Sequence, residues 1–404
     1  MSRAKILASI KGWNPNDWCL AYILFFSILY EPLVPLGFFA WLIVLWRNIE
    51  RKSYPFWSGT EFWFVLYYIG LGVGLLWTQD IDNGLFKLEN KLSFLVFPLL
   101  FYFSRFSISK KSVLNILLLS ICLSLVMYEC IAVFKSIYHP EDNQWGYFKD
   151  SLFSLFMHRG YYAFYLVIGS LICHEHLQKN TNRLRYGLLF VFLVIGVIQT
   201  YSKAGTLSLV AFNMFLFLNY VIRKKKWKIA VSVGAGIIAF IFIFNTTDST
   251  LKNRFKKIPT STDQIQLKNN NSAESNQARI LMWSASLKSI QKGQFHGYGT
   301  GDDITILKEQ NQADHNLKMA EEGMNSHNQF LTSTLQIGIP GLFILFMFFW
   351  SACRKAFKDK DLLTILISLC FFSNFLIESF LERQAGVVLF CVLTLCLTLK
   401  RRTS

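Results

Sequence analysis

Charge is scarce in this chain. Asp, Glu, Lys and Arg make up 16% of its 404 residues, against about 25% in a soluble globular domain. The shortage and a 53% hydrophobic content, including 39 Phe, exclude a soluble enzyme or a disordered chain. Apolar runs of membrane-spanning length instead recur from end to end. No CxxC occurs, and the eight cysteines (Cys19, Cys122, Cys130, Cys173, Cys353, Cys370, Cys391, Cys396) all lie in or beside apolar runs. That placement argues against a disulfide framework or a thiolate metal site and reads Cys as a small packing residue. No small-residue cleavage site follows the first apolar run, which therefore reads as an uncleaved span. No internal repeat of the transporter kind is visible.

What is present in excess is positive charge: 41 Lys and Arg against 25 Asp and Glu, a net charge of +16. On a soluble protein this would point to nucleic acid; here the partner it implies is the lipid bilayer. About twelve spans of roughly membrane length are predicted, at 18–30, 32–46, 60–78, 92–103, 113–138, 160–176, 186–200, 203–222, 228–245, 328–351, 361–378 and 384–399. With the N-terminus inside, the inner connectors "RNIERKSYPF", "SRFSISKKS", "HEHLQKNTNRLR", "RKKKWK" and "RKAFKDKD" and the tail "KRRTS" are all basic. The outer connectors "TQDIDNG" and "HPEDNQWGYFKD" are acidic or mixed, which is the positive-inside pattern. The predicted fold is all-α and polytopic. Residues 1–244 carry the N-terminal spans, 245–326 form one large outer loop, and 327–404 carry the C-terminal spans.

The middle of that loop, "STDQIQLKNNNSAESNQ", is Asn/Ser/Gln-rich and reads as flexible. The next stretch has Ile280, Trp283, Leu287 and Ile290 at helical spacing, which predicts a short amphipathic helix with those residues on its apolar face. "FHGYGTGDD" follows; its alternating glycines have no preceding strand, so they do not read as a dinucleotide site.

The functional question rests on polar residues near the outer ends of spans. His327 opens the span "NQFLTSTLQIGIPGLFILF". It is either an interfacial helix-end residue or a base or anion partner that titrates near neutral pH. Arg279 stands at the start of the loop helix, where a cation opposes the helix dipole. It is either a solvated arginine or part of an anion site together with free backbone N–H groups. Lys203, in the tight break "QTYSKAGTLSL", either snorkels or serves a ligand inside the bundle. Arg159, Glu378, Glu382 and Arg383 stand at the outer ends of other spans, where they either pair with one another or line one cavity. No cluster of His, Cys and carboxylates has metal-ligand spacing on this side, so no metal or cofactor is expected. His174 and His176, in "CHEH" on the inner side, read as a solvated loop.

Taken together these stretches resemble the O-antigen ligase and O-antigen polymerase superfamily. The resemblance rests on "NSHNQFLTSTLQIGIPGLFILF", "YSKAGTLSLV", "ARILMWSASLKSIQKGQFHGYGTGDD", "NKLSFLVFPLLF" and "ESFLERQAGVVLF", in that family's motifs and overall layout. One position departs from the pattern: the family's Ser-Arg-Gly or Ser-Arg-Ala is here Ser-Lys-Ala, so Lys203 offers a point charge and no bidentate fork.

The resemblance implies a metal-independent glycosyltransferase of the GT-C kind at the periplasmic face of the bacterial inner membrane, with both termini cytoplasmic. Its donor would be a glycan on undecaprenyl pyrophosphate and its acceptor a hydroxyl of lipid A-core or another surface molecule. His327 and Arg279 would be catalytic. Lys203, Arg159, Asn328, Glu378 and Arg383 would hold substrate. Gly338, Pro340 and Gly341 would kink or thin the His327 helix so that a lipid tail or neighbouring helix can approach. The same motifs serve a polymerase or a protein O-oligosaccharyltransferase. A transporter or lipid flippase is the reading from a different class; it fits the number of spans but not the large outer loop.

Overall fold

The computed structural model describes residues 12–47, 49, 54–139, 144–179, 182–225, 276–293 and 295–399. Among the described residues there are helices and no strands. In chain order they are α1 (Pro15–Leu29), α2 (Val34–Arg47), α3 (Thr60–Gly74), α4 (Ile81–Asn90), α5 (Ser93–Phe103), α6 (Lys110–Tyr138), α7 (Asp150–Phe153), α8 (Arg159–Gln178), α9 (Arg183–Gln199) and α10 (Lys203–Lys224). Then follow α11 (Asn276–Lys292), α12 (Asp303–Ala313), α13 (Leu317–Glu321), α14 (Gln329–Lys358), α15 (Leu362–Phe375) and α16 (Gln384–Thr398). Every predicted span coincides with one of these helices except 228–245, which lies outside the described residues, as does the Asn/Ser/Gln-rich stretch of the loop. Among the described residues, four helical stretches are long and apolar enough to cross a membrane: Thr60–Trp77, Lys110–Tyr138, Lys203–Lys224 and Gln329–Lys358. Pro15–Leu29, Leu362–Phe375 and Gln384–Thr398 are apolar but shorter.

Local chemistry explains the helix limits. Asn14 caps α1 in a capping box with Asp17, and Pro15 takes the first helical position, where its missing N–H costs nothing. The buried Asp17 carboxylate also accepts from Ser107 N and Ile108 N at 3.0 Å, tying α1 to the α5–α6 connector. Two helices are surrounded by protein. α8 is buried continuously from Tyr161 to Cys173 and α16 from Gly386 to Leu397, as expected of helices that are apolar all round. In lipid, helix association depends on close packing more than on apolar burial. Small residues supply it here: Gly205 of α10 faces Ala163 of α8, and a Cβ on Gly205 would come within 2.5 Å of the Ala163 Cβ. Aromatic stacking supplies the rest, with Phe64 on Phe348 at 4.5 Å.

The loop helices form a small lobe of their own. Ala278, Leu281, Met282 and Ala285 of α11 pack with Leu307, Met319 and, on α14, Leu335. The predicted helix is present, but its buried face is rotated from the predicted one. Ile280, Trp283 and Ile290 flank the contact, and Leu287 is 51% exposed. The reason is steric: the alanines, with Ser286 and Ser289, let α11 lie close against its neighbours in a way that the larger residues do not.

α14 is broken in its middle. Ile337 and Gly338 leave helical geometry, with Gly338 at φ +67°. The glycine-rich turn of the loop fills the break. Tyr298 N donates to Leu335 O at 2.8 Å, Gly299 N to Gln336 O at 3.0 Å, and Ile339 N to Phe295 O at 3.0 Å. The carbonyls freed at the end of the first half-helix and the first N–H of the second are thereby satisfied, and Pro340 falls where no donor is needed. Only glycine suits the contact: a Cβ on Gly338 would run into the Phe295 carbonyl, and one on Gly297 would lie 2.6 Å from Gly338 N. So the predicted kink exists, and this chain's own loop fills it, while a neighbouring span, α3, approaches through Gly70 and Gly74, which lie against Ile337.

The bundle has two distinct ends. At one, α1 begins beside the α5–α6 connector, Lys110 pairs with Asp361, and Lys355 Nζ donates to Thr398 O at 2.6 Å. At the other, the α15–α16 connector meets the starts of α8 and α14 and the loop lobe.

Candidate active site

The start of α14 is a densely bonded turn. Asn328 caps the helix, its side chain accepting from Phe330 N (2.9 Å) and Leu331 N (3.2 Å) while its Nδ2 donates to Leu376 O (3.1 Å). Ser326 Oγ contacts Thr332 Oγ1 (2.6 Å), which in turn contacts Ser379 Oγ (2.9 Å). These bonds hold α14 to the α15–α16 connector. His327 sits between them in the left-handed region, at φ +47°, a conformation that costs a non-glycine residue energy unless its surroundings impose it. They do: His327 N donates to Asn325 Oδ1 at 2.9 Å, and Trp283 Nε1 donates to His327 O at 3.3 Å.

The imidazole meets a carboxylate and, through it, a guanidinium. His327 Nδ1 is 3.3 Å from Glu378 Oε2, and Arg279 Nη2 donates to Glu378 Oε1 at 2.6 Å. Arg279 Nε donates to Ile377 O at 3.3 Å. Burial alone would raise the Glu378 carboxyl; the His327 hydrogen bond and the Arg279 charge outweigh it and hold it down at about 2. Glu378 is therefore a carboxylate at any physiological pH and only accepts. Nδ1 of His327 is then the donor, and the lone pair of neutral His327 stands on Nε2. Arg279 is a first-turn cation of α11, and the conflict expected with the helix dipole is answered by Glu378 from within the chain. The guanidinium is only partly buried and has donors left over.

A second polar cluster lies beneath the glycine turn. Lys87 of α4 pairs with Asp303, and the fully buried Lys91 Nζ lies 2.9 Å from Glu382 Oε1. Gln336, just before the break in α14, donates to Asp303 Oδ2 (3.1 Å) and Glu382 Oε1 (3.4 Å). Burial pushes the Glu382 carboxyl up, but the Lys91 and Lys87 charges pull it below the usual range. Sequence reading missed this cluster. The available signal was a pair of lysines one helical turn apart, Lys87 and Lys91, next to an apolar helix.

The residues predicted to stand together are thus distributed. His327, Arg279 and Glu378 are in contact, and Asn328 adjoins them as a helix cap. Glu382 turns away to the lysines. Arg159 pairs with Asp150. Lys203 takes the first position of α10, after Ser202 caps it through Gly205 N at 3.1 Å. Arg383 lines a separate cavity of about 380 Å³ with Glu31, Phe156, His158 and Gln384.

Residues 188–346 match the O-antigen ligase family. The matched stretch includes Lys203, Arg279, His327 and Asn328 and ends on the second half of the broken helix, so Glu378 joins the site from outside it. The chain is also similar to an uncharacterised protein of Haemophilus influenzae, 21% identical over 354 residues that cover 83% of this chain and 84% of that one. Over those residues the chain resembles the O-antigen ligase family, whose members are glycosyltransferase-like enzymes, and its apolar helices fit a membrane protein.

Proposed function

We propose that this chain is a metal-independent glycosyltransferase of the GT-C kind, moving a glycan from undecaprenyl pyrophosphate to a hydroxyl of lipid A-core or another surface acceptor. The reaction takes place at the periplasmic face of the inner membrane, in a bundle of about twelve spans with both termini cytoplasmic. The distribution of charge supports this orientation: Arg47, Lys111, Arg183, Arg223 and Lys358 stand exposed on the helices' opposite ends from the His327 site.

The observation that carries the reading is the Arg279–Glu378–His327 array. In the transfer, the acceptor oxygen bonds to the anomeric carbon as the bond from that carbon to the pyrophosphate oxygen breaks. The acceptor proton passes to His327 Nε2. Glu378 holds the ring by Nδ1 and stabilises the imidazolium that forms, the role a buried carboxylate plays beside a catalytic histidine. Negative charge develops on the departing lipid pyrophosphate, and the remaining donors of Arg279 face it. Arg279 and Glu378 cancel in the resting site, so protonation of His327 adds one positive charge as the leaving group gains negative charge. Both Glu378 oxygens are already engaged, one by the Arg279 guanidinium and the other by the His327 N–H, which favours cation-assisted departure over a carboxylate-held metal.

The test is transfer by protein reconstituted with a lipid-linked glycan. His327→Ala should lose roughly 10²–10⁴-fold in rate while inserting at normal levels and still binding donor. Chelators should leave the rate unchanged. Transfer at the wild-type rate by His327→Ala would sink the reading. Polymerase or protein-directed transfer uses the same array; gene deletion separates the products, since losing a ligase leaves lipid-linked polymer and losing a polymerase leaves single repeat units.

A further inference from the structure

The cavity of about 380 Å³ beside the candidate active site falls within the range of small-ligand sites, roughly 300–1,000 Å³. Three separate segments build it: the α1–α2 turn with Glu31, the segment leading into α8 with Phe156 and His158, and the start of α16 with Arg383 and Gln384. It shares a wall with the array, because Tyr161, which also lines it, donates to Ser379 O and Phe380 O at 3.3 Å, in the connector that carries Glu378.

Its polar groups are unspent. Glu31 and Arg383 line the same cavity, yet neither side chain has a hydrogen-bond or ion-pair partner among the described residues. Arg159 and Arg279, by contrast, are each taken by a carboxylate. His158 Nδ1 accepts from Gly160 N at 3.3 Å, so the neutral ring carries its proton on Nε2. Burial lowers the His158 pKa, and Arg383, Arg159 and Arg279 reinforce this against Glu378, so the ring is neutral. The wall includes Phe156, 56% exposed and set edge-on to Tyr30 at 5.9 Å.

A carboxylate that only accepts, a guanidinium that only donates, an amide that does both and a partly exposed aromatic ring, stacked on Tyr128 on one side, together match one chemistry. A pyranose ring has hydroxyls that donate and accept at once and an apolar C–H face that packs on an aromatic ring. A phosphate would find Arg383 but be repelled by Glu31. The geometry points to a saccharide-binding subsite here, holding a sugar of one of the two glycan substrates next to the reacting centre. This inference rests on the proposed glycosyl transfer, and it names Glu31, Phe156, His158, Arg383 and Gln384 as the residues that recognise the sugar.

Saturation-transfer NMR on the full chain in nanodiscs tests it, with methyl glucoside, methyl N-acetylglucosaminide and galacturonic acid as probes and empty nanodiscs as the blank. At least one sugar should receive saturation through its ring protons. Glu31→Gln and Arg383→Gln, each checked for monodispersity and an unchanged unfolding temperature, should each weaken binding about tenfold, the scale of one charge-assisted hydrogen bond. Phe156→Ala gives a third, uncharged perturbation with the same expected direction. His327→Ala should lose transfer but keep the sugar signal, so failure of the transfer reading and failure of the subsite give different results. Addition of undecaprenyl-pyrophosphate-linked glycan assigns the source: displacement of the probe places the donor's sugar here, and co-binding places the acceptor's. No signal above the blank, signals indifferent to all three substitutions, or displacement by inorganic pyrophosphate alone would overturn the proposal.

Discussion

Replacing Glu378 by Gln separates the electrostatic role of this carboxylate from its shape. A carboxyl held at about 2 instead of its ordinary 4.5 represents about 3 kcal/mol of preference for the charged form in the folded state. The sign follows from the direction of the shift. The folded-state pKa is depressed, so the stabilisation is complete above the unfolded value of 4.5 and declines as pH falls towards 2. Between pH 6 and pH 3 the wild-type protein should therefore lose about 2 kcal/mol from this group alone. Glu378→Gln cannot titrate and should lack that component, so thermal unfolding in detergent should show a shallower acid limb for the variant. At neutral pH the variant leaves the Arg279 guanidinium without its 2.6 Å partner and should unfold at a lower temperature. Activity should fall further than stability. The amide cannot stabilise an imidazolium on His327, and a loss of roughly 10²-fold or more in rate is expected, on the scale of a general base. Identical acid limbs for the two proteins would refute the charge assignment, and an unchanged rate would remove Glu378 from the chemistry.

Substitutions at four further positions test other elements of the structure. Lys203→Arg should keep substantial transfer and Lys203→Ala should lose most of it if a point charge is what matters there; at Arg279, Lys should be a poor replacement because the guanidinium divides its donors between Glu378 and Ile377. Gly338→Ala should destabilise by at least about 1–3 kcal/mol from its left-handed backbone alone, and limited proteolysis should show the loop lobe released from α14; a protein as protease-resistant as wild type would refute the stitched break. Lys91→Ala should cost about 3–5 kcal/mol in unfolding experiments by leaving Glu382 buried without its partner, while the double variant Lys91→Met, Glu382→Gln should recover much of that loss.

How much of this was legible in the sequence depended on the range of the interaction. Helix positions were legible because apolar runs and their polar limits are local: the predicted segment at 203–222 differs from α10 only by its last turn. His327 and Arg279 could be selected as candidates because each stands out against its own neighbours. Their union through Glu378 could not be read, since it joins residues 51 and 99 positions apart and nothing in "ESFLERQAG" says that Glu378 faces one way and Glu382 the other. The connector resolves that choice with a 3-10 turn, Phe380–Glu382, which directs the second carboxylate to Lys91. The face of α11 was misread for a related reason. Periodicity weighs large apolar residues most, whereas much of this helix's buried face, beside Leu281 and Met282, is made of Ala278, Ala285, Ser286 and Ser289, whose importance depends on how near the partner lies. The glycines of "FHGYGTGDD" and "QIGIPG" were each visible as breaks, but not as two halves of one contact.

That contact also bears on the choice between an enzyme and a transporter. Transporters with broken helices bind their ions and substrates at the exposed half-helix ends near the middle of the membrane and rock one repeat against another around them. In this chain the half-helix ends are closed: the Leu335 and Gln336 carbonyls are taken by Tyr298 and Gly299, and Ile339 N by Phe295. The buried charges nearest the break are also mutually committed, Lys87 to Asp303 and Lys91 to Glu382, with Gln336 joining both carboxylates. Rocking α14 against α4, α12 or the α15–α16 connector would separate these pairs in a low-dielectric setting, where an unpaired charge is most costly. A broken helix that is sealed by its own loop gains rigidity instead. It fixes the lobe bearing Arg279 relative to the half-helix bearing His327, while the same connector delivers Glu378 to both. Reaction centres require fixed geometry of that kind, since a misplacement of about 1 Å can cost on the order of 10²-fold in rate. The break in α14 is therefore better understood as the joint that holds the array in register than as a gate.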